Sequence, residues 1–339
     1  MKRVGLIGYG LAGRNFHAPL LQAAGFFIGA IATRSIEKRG LAHDEFPLAT
    51  MLASAEELVE EDLDLVVVAS TNEVHASQAR LAIDAGIPVV VDKPMGLDYY
   101  ETLALFDYAD ARGVPITVFF NRLFDSDTLT IKRVIEQGEI GEVFRFESRF
   151  ERFRPDSNPN AWRETTPSHL GGGLLLDLQT HLVSTALHLF GQADLEFASL
   201  RKIRGDVEDD VLLVLKHVCG VDSYLSVSAI AGSPGPRIRM HGRSGSLVAK
   251  ELDPQESLLR AGVKPLATGW KDPQSATSEF KVHKGENSID FKGVPGNYVN
   301  FYNQVRDFLD GQGMMPVSRE FALDVARTLD RAREIDIRR

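Results

Sequence analysis

Residues 4–13 read Val-Gly-Leu-Ile-Gly-Tyr-Gly-Leu-Ala-Gly, and the reading of the fold starts there. A short apolar run, Val4 to Ile7, enters Gly8-Tyr9-Gly10-Leu11-Ala12-Gly13, and the chain from Arg14 onward can continue as a helix. This is G-x-G-x-x-G with a strand before it and a helix after it, the setting in which the pattern holds a dinucleotide. Gly8 allows the tight turn, Gly10 leaves no side chain between backbone and pyrophosphate, and Gly13 lets helix and strand pack closely. Backbone N–H groups at the helix start, with the positive end of the helix dipole behind them, then face the phosphates. Glycine-rich turns also serve packing alone, so the rest of the chain has to supply the βαβ units.

It does so as far as Asn121. Helices are predicted over 15–24, 52–61, 76–85 and 101–112, alternating with strands over 26–33, 63–70, 87–92 and 115–120. The runs LDLVVVAS and IPVVVD are nearly continuous in apolar residues, as strands covered on both faces must be. Residues 1–121 are therefore expected to form a doubly wound parallel sheet. Residues 122–339 have a different texture. Helices over 126–137 and, after Gly171-Gly172-Gly173, over 174–190 are followed by alternating segments at 195–204, 210–217, 223–230, 237–241 and 246–250. With a further strand over 142–154, they predict an α+β domain with a large open, mainly antiparallel sheet. Residues 262–294 read as a polar, turn-rich excursion, and 298–309 and 319–334 as closing helices. An open sheet of this size needs cover on its second face, so a homo-oligomer, a dimer through that sheet, is expected.

Composition bounds the partners. The chain is 44% hydrophobic and 25% charged, with a net charge of −9 and no long basic run. Nucleic acid and anionic membrane surfaces are poor partners for it, and no apolar stretch of about 20 residues is present to span a bilayer. Cys219 is the single cysteine, which suits a reducing cytoplasm and reads as a small buried apolar residue.

Several residue types point to chemistry. Strand 26–33 ends in Thr33-Arg34-Ser35, with Lys38 one helical turn on and no acid at the tip. Two cations and two hydroxyls suit the 2′-phosphate of NADP, where an acid would select the free ribose hydroxyl of NAD. Ser70-Thr71-Asn72, with His75 beyond, follows a strand at the end where such sheets bind ligands. Lys93, turned by Pro94, stands at the end of the next strand; it can hydrogen-bond a substrate hydroxyl, or be a surface lysine in a tight turn. Asp177 and His181, four apart, share one face of a helix, so the acid can orient the ring for proton exchange, or the pair can simply suit the helix start. His188 lies seven residues further, about 10 Å at 1.5 Å per residue, too far to share an ion with His181, and no metal is expected. Trp162-Arg163 with Arg152 and Arg154 can hold a polyol or a cofactor phosphate, or be solvated. His17 can meet ligand or be packed in the core.

Taken together these residues resemble the glucose-fructose oxidoreductase and inositol dehydrogenase (Gfo/Idh/MocA) family over nearly the whole chain. The resemblance rests on Gly8, Gly10 and Gly13, on Ser70-Thr71-Asn72 to His75, on Asp92-Lys93-Pro94, and on the triple glycine with Asp177 and His181. FHAPL (16–20), NRLFDSDTLTIK (121–132), FRP and AWRE (153–164) and DPQE (253–256) are more narrowly similar to its NADP-dependent scyllo-inositol dehydrogenase branch. The resemblance implies hydride transfer between a secondary hydroxyl of a cyclic polyol or sugar and a nicotinamide. Lys93, Asp177 and His181 would serve proton transfer and substrate binding, and Asn121, Trp162 and Arg163 would touch cofactor. An anhydro-sugar reductase, a diol dehydrogenase and a non-catalytic cofactor sensor are the alternatives. The chain departs from the family pattern at Thr71, Asp92 and Gln179, the last being expected to place a bulky polar group beside the site.

Overall fold

The computed structural model describes residues 1–337. In chain order the elements are β1 (Arg3–Ile7), a π-helical turn (Gly13–His17), α1 (Ala18–Ala23), β2 (Phe27–Ala32), α2 (Ile36–Glu45), β3 (Thr50–Leu52), α3 (Ala55–Leu58), β4 (Leu65–Val68), α4 (His75–Asp84), β5 (Val89–Asp92), α5 (Tyr99–Asp110) and β6 (Ile116–Phe119). Then come α6 (Ser126–Glu136), β7 (Val143–Glu151), α7 (Trp162–Thr165), a second π turn (Leu175–Gln179), α8 (Thr180–Phe190), β8 (Ala193–Arg201), β9 (Asp210–His217) and β10 (Asp222–Ser228). The chain ends through β11 (Ile238–Gly242), β12 (Gly245–Ala249), α9 (Gln255–Arg260), β13 (Phe280–Lys284), β14 (Asn287–Phe291), α10 (Val299–Leu309) and α11 (Arg319–Ile337). Contacts divide these into two units. Met1–Asn121, Gln255–Asp272 and Asn297–Leu323 form the first; Arg122–Pro254, Pro273–Gly296 and the chain from Asp324 form the second. Residues 255–272 and 297–323, read from sequence as part of the second domain, thus pack with the first 121.

The first unit holds a six-stranded parallel sheet in the order β3-β2-β1-β4-β5-β6. Its central strands are buried along their length, Leu65 to Val68 and Val89 to Val91 being inaccessible to solvent, so valine-rich runs without alternation form them. Strand order reverses at β1, which lies between β2 and β4. The loops after β1 and β4 therefore leave to opposite sides and open a crevice at the carboxyl edge, where this architecture binds ligands.

The structure corrects two local expectations here. The first helix does not run evenly over 15–24. Ala18 N–H bonds to Gly13 C=O in a widened turn, and the regular turn of α1 starts with Pro19 in its first two positions. Proline has no N–H to give the residue four back, which leaves room for the wider turn before it. The helix expected over 52–61 shrinks to α3. Ser54 Oγ accepts Glu57 N–H at 3.2 Å while Glu57 returns a bond to Ala53 N–H at 3.0 Å, a reciprocal cap that starts the helix late. Thr50–Leu52 is a strand instead, in register with Ala30–Ala32 of β2.

The second unit holds an eight-stranded sheet, β14-β13-β12-β11-β7-β10-β9-β8, antiparallel except for the β7/β10 pair. Alternation sets its faces: Val211, Leu213, Leu215 and His217 of β9 are buried while Leu212 and Lys216 between them are exposed. The apolar helix α8 covers the buried face against β7 and β10. The excursion expected over 262–294 contains the β13/β14 hairpin, turned at Gly285 with φ +62° and tied by Lys281 and Asp290 at 3.0 Å. Cys219 is exposed, not buried: it sits in the turn between β9 and β10, where chain reversal overrides its apolar character.

Candidate active site

The three glycines of the β1 loop have different duties. Gly8 has φ +97°, and a Cβ there would stand 2.6 Å from Ala69 C=O. A Cβ on Gly13 would stand 2.0 Å from Gly8 C=O. Both positions are demanded by packing. A Cβ on Gly10 would meet only Lys38 Nζ, at 4.0 Å, so Gly10 borders open space beside a cation. The residues present therefore fit a dinucleotide, whose pyrophosphate needs a bare backbone at that position. Tyr9 turns inward, 2% exposed, and its hydroxyl donates to Glu45; Arg14 Nε donates to the same carboxylate at 2.9 Å. Burial and the Glu45 contact push the Tyr9 hydroxyl upward, well out of reach of neutral pH. Burial would raise the Glu45 carboxyl too, but the Arg14 and Tyr9 hydrogen bonds outweigh it and hold it low. Leu11 is exposed and Ala12 half-buried on the same loop.

At the tip of β2, Arg34 and Lys38 are exposed and Thr33 and Ser35 half-buried. Ser35 caps α2, its Oγ accepting Lys38 N–H at 3.3 Å, which leaves its own O–H to donate outward.

The loops after β4 and β5 are fastened to each other. His75, 1% exposed, places Nδ1 at 2.8 Å from Pro94 C=O and Nε2 at 3.2 Å from Ser70 C=O. Its ring ties these two loops together, and burial lowers its affinity for a proton. Ser70 Oγ donates to Gln78 at 2.6 Å, Thr71 is half-buried, and Asn72 is buried in a short 3₁₀ turn. Asp92 Oδ1 accepts Lys93 N–H at 2.8 Å, Lys93 is half-buried, and the Lys93–Pro94 peptide is cis. Burial works to raise the Asp92 carboxyl, but His17, Lys93 and His75 together hold it below the usual range. Asn121, 5% exposed, opens the 3₁₀ turn that follows β6.

In the second unit, Arg163 Nε donates to Asp177 Oδ1 at 3.0 Å, and its guanidinium lies 4.5 Å over the Trp162 ring. The triple glycine makes this approach possible: a Cβ on Gly172 would stand 1.8 Å from Thr166 C=O, and one on Gly173 2.3 Å from the Glu208 carboxylate. His181, 7% exposed, packs edge-on to Phe150 with ring centres 6.3 Å apart. Asp177 and His181 do not lie on one regular helix, as their spacing suggests. Asp177 falls in the π turn and His181 in the first turn of α8. That widened turn also redirects Gln179, which is fully buried and donates to Leu225 C=O at 3.2 Å, inside the sheet packing rather than beside a ligand. Arg152 is half-buried at the end of β7. Sequence reasoning missed Arg204, which bonds Arg154 C=O at 2.8 Å and Asp209 at 3.1 Å and lies 3.4 Å from Glu164, pinning the segment that carries Trp162 and Arg163. A surface-looking arginine 50 positions from its partner gives no signal in sequence.

A parallel sheet in this order, with the glycine loop at its switch point, defines a Rossmann dinucleotide-binding unit. The oxidoreductase family with an NAD-binding Rossmann fold matches residues 2–120, and the GFO/IDH/MocA C-terminal domain matches residues 128–248. The chain is 34% identical to the oxidoreductase YdgJ of Escherichia coli K12, over 97% of this chain and 94% of that protein. It is 30% identical to the scyllo-inositol 2-dehydrogenase (NADP(+)) IolW of Bacillus subtilis strain 168, over 98% and 93%. A crystal structure of an oxidoreductase from Klebsiella pneumoniae, 36% identical, superposes with a TM-score of 0.88 and covers all of this chain and 94% of that one. The chain belongs to the Gfo/Idh/MocA family and is a dehydrogenase or reductase. Among the described residues no helix is long and apolar enough to cross a membrane.

Proposed function

We propose that this protein is an NADP-linked dehydrogenase that moves a hydride between a secondary hydroxyl carbon of a cyclic polyol or sugar and the nicotinamide. The observation that carries the cofactor choice is the open Gly10 position beside Lys38, with Arg34 exposed on the same tip and no acid there. A 2′-phosphate is matched by two cations and the outward Ser35 hydroxyl. Relatives support the substrate class: besides the inositol dehydrogenase, the D-xylose 1-dehydrogenase (NADP(+)) 2 of Haloferax volcanii is 29% identical over 66% of this chain.

When bound, the nicotinamide supplies the hydride acceptor or donor. His181 takes the hydroxyl proton on oxidation and returns it on reduction, with Asp177 orienting the ring. Lys93 donates a hydrogen bond to the same oxygen and stabilises negative charge as it develops. The working form is a cytoplasmic homodimer through the outer face of the eight-stranded sheet, where Leu212, Val214 and Tyr224 lie side by side on β9 and β10.

The test is nicotinamide absorbance with purified protein, NADP or NAD, and a panel of inositols, pyranoses and their keto forms. Turnover of an inositol with NADP preferred, abolished in His181→Ala and Lys93→Ala at unchanged melting temperature, is the expected result. Both variants turning over normally would overturn the assignment of roles. Tight NADP binding without turnover on any compound would instead make the protein a cofactor-binding regulator.

A further inference from the structure

His17 is a buried titratable residue that the mechanism above leaves unused. It closes the π turn that follows the glycine loop, is 0% exposed, and lies against Phe119 with ring centres 4.5 Å apart. Such an apolar box would suit phenylalanine or leucine. A buried imidazole there is costly unless its ring nitrogens face polar groups. Nδ1 lies 2.6 Å from the Tyr302 hydroxyl, itself fully buried on α10, while Nε2, which has no hydrogen-bond partner among the described residues, faces Asp92 Oδ2 across 3.6 Å. The other Asp92 oxygen holds the backbone N–H of Lys93 at 2.8 Å.

We propose that His17 is a positioning residue: its Nε2, aimed at Asp92 Oδ2 from 3.6 Å, steadies the Asp92 carboxylate by a close electrostatic contact, and through it the Lys93 turn, while Tyr302 fixes its tautomer. The proposal rests on the role given to Lys93 above. The chemistry of the chain of contacts assigns the protons. An ionised carboxylate only accepts, so the nitrogen facing Asp92 carries hydrogen. In the neutral ring Nδ1 is then the acceptor, and Tyr302 donates to it. Tyr302 is a dependable donor, because burial and the nearby Asp92 charge push its hydroxyl well above its usual range. The charged and titratable groups acting on Asp92 are His17 from the π turn before α1, Lys93 beside it and His75 from α4; on Tyr302 it is Asp92. Without His17, burial of Asp92 loses its principal opponent. The carboxyl then takes up a proton at higher pH, and a neutral acid no longer fixes the turn as the carboxylate does.

The experiment compares His17→Phe with His17→Gln, whose side-chain amide can replace the Nε2 donor. In the phenylalanine variant kcat/KM on the substrate found in the panel above should fall with a new acid limb, about tenfold or more between pH 8 and pH 5.5, while the glutamine variant keeps the wild-type profile. A profile unchanged in shape in His17→Phe, with activity equal or lowered evenly across pH, would overturn the proposal. A second measurement needs no turnover. In protein with ¹⁵N-labelled histidine, the His17 ring should show the Nε2–H tautomer, and Asp92→Asn should move its nitrogen resonances. An Nδ1–H tautomer, or no response to Asp92→Asn, would overturn it equally. Failure of the Lys93 reading is seen separately, as full turnover in Lys93→Met with the His17 tautomer as assigned.

Discussion

Arg163 donates through Nε to Asp177 Oδ1 at 3.0 Å, so the short helix α7 is tied to the turn that leads into the His181 helix. A hydrogen bond between charged groups contributes about 1.5–3 kcal/mol when sheltered, and less here because Arg163 is more than a third exposed. Arg163→Met is expected to lower kcat/KM about tenfold by releasing Asp177, with little change in melting temperature. Steady-state kinetics beside thermal unfolding check this; wild-type kinetics in the variant would remove Arg163 from the site.

The glycine loop predicts a split between stability and binding. Gly13→Ala drives a Cβ to 2.0 Å from a carbonyl oxygen, and Gly8→Ala adds strain at φ +97°. Each should cost about 1–4 kcal/mol of folding stability. Gly10→Ala meets nothing closer than 4.0 Å and should stay within about 0.5 kcal/mol of wild type while weakening NADP binding about tenfold or more. Chemical denaturation and fluorescence titration separate the two. A destabilised Gly10→Ala that binds normally would contradict the division of labour.

Cofactor preference should reside in Arg34 and Lys38. Their joint replacement by alanine is expected to weaken NADP about 100-fold and leave NAD nearly unchanged, as two charge-assisted contacts to one phosphate are lost. The wild-type preference should also shrink as salt is raised, because both side chains are exposed. Equal losses for the two cofactors would show that the pair serves the loop and not the 2′-phosphate.

Stability should fall on the acid side through His75. Burial lowers the proton affinity of this ring in the folded protein. In the unfolded chain it titrates near about 6.5, so below that pH the unfolded state binds more protons and stability declines as pH drops towards the folded value. His217, 2% exposed, is shifted the same way, also by burial, and adds to the slope. His75→Gln should therefore unfold with a shallower pH dependence between about pH 7 and 5 than wild type, although it is less stable overall. Parallel slopes in urea unfolding would sink the idea.

What the sequence discloses depends on the range of the interactions involved. The glycine loop, the valine runs of β4 and β5 and the alternation of β9 report local rules, and each element lies where its pattern predicts it. The two π turns have no periodic signature; Pro19 is the single local hint of the first. That is why Asp177 and His181 look like residues of one regular helix, and why the sequence aims Gln179 at the site when its side-chain amide donates to Leu225. The partners that hold the candidate site residues lie far along the chain. Arg163 finds Asp177 at a distance of 14 positions, and His17 finds Tyr302 at 285. Cys219 shows the opposite failure, a composition rule overruled by a turn.

The first unit is assembled from three separate stretches of chain, and this fixes the order in which the protein can become whole during synthesis. When residue 121 leaves the ribosome, His17 has Phe119 beside it but lacks Tyr302, Phe119 lacks Phe301, and the carbonyl of Ala24 still lacks Arg306. Nearly two hundred further residues, including most of the second unit, must be translated before α10 arrives to close that side of the nucleotide-binding sheet. A gene fragment ending at Asn121 should for this reason yield a sticky, incompletely packed chain rather than an autonomous cofactor-binding domain, and a stop codon as late as residue 295 would impair the unit at the opposite end of the sequence.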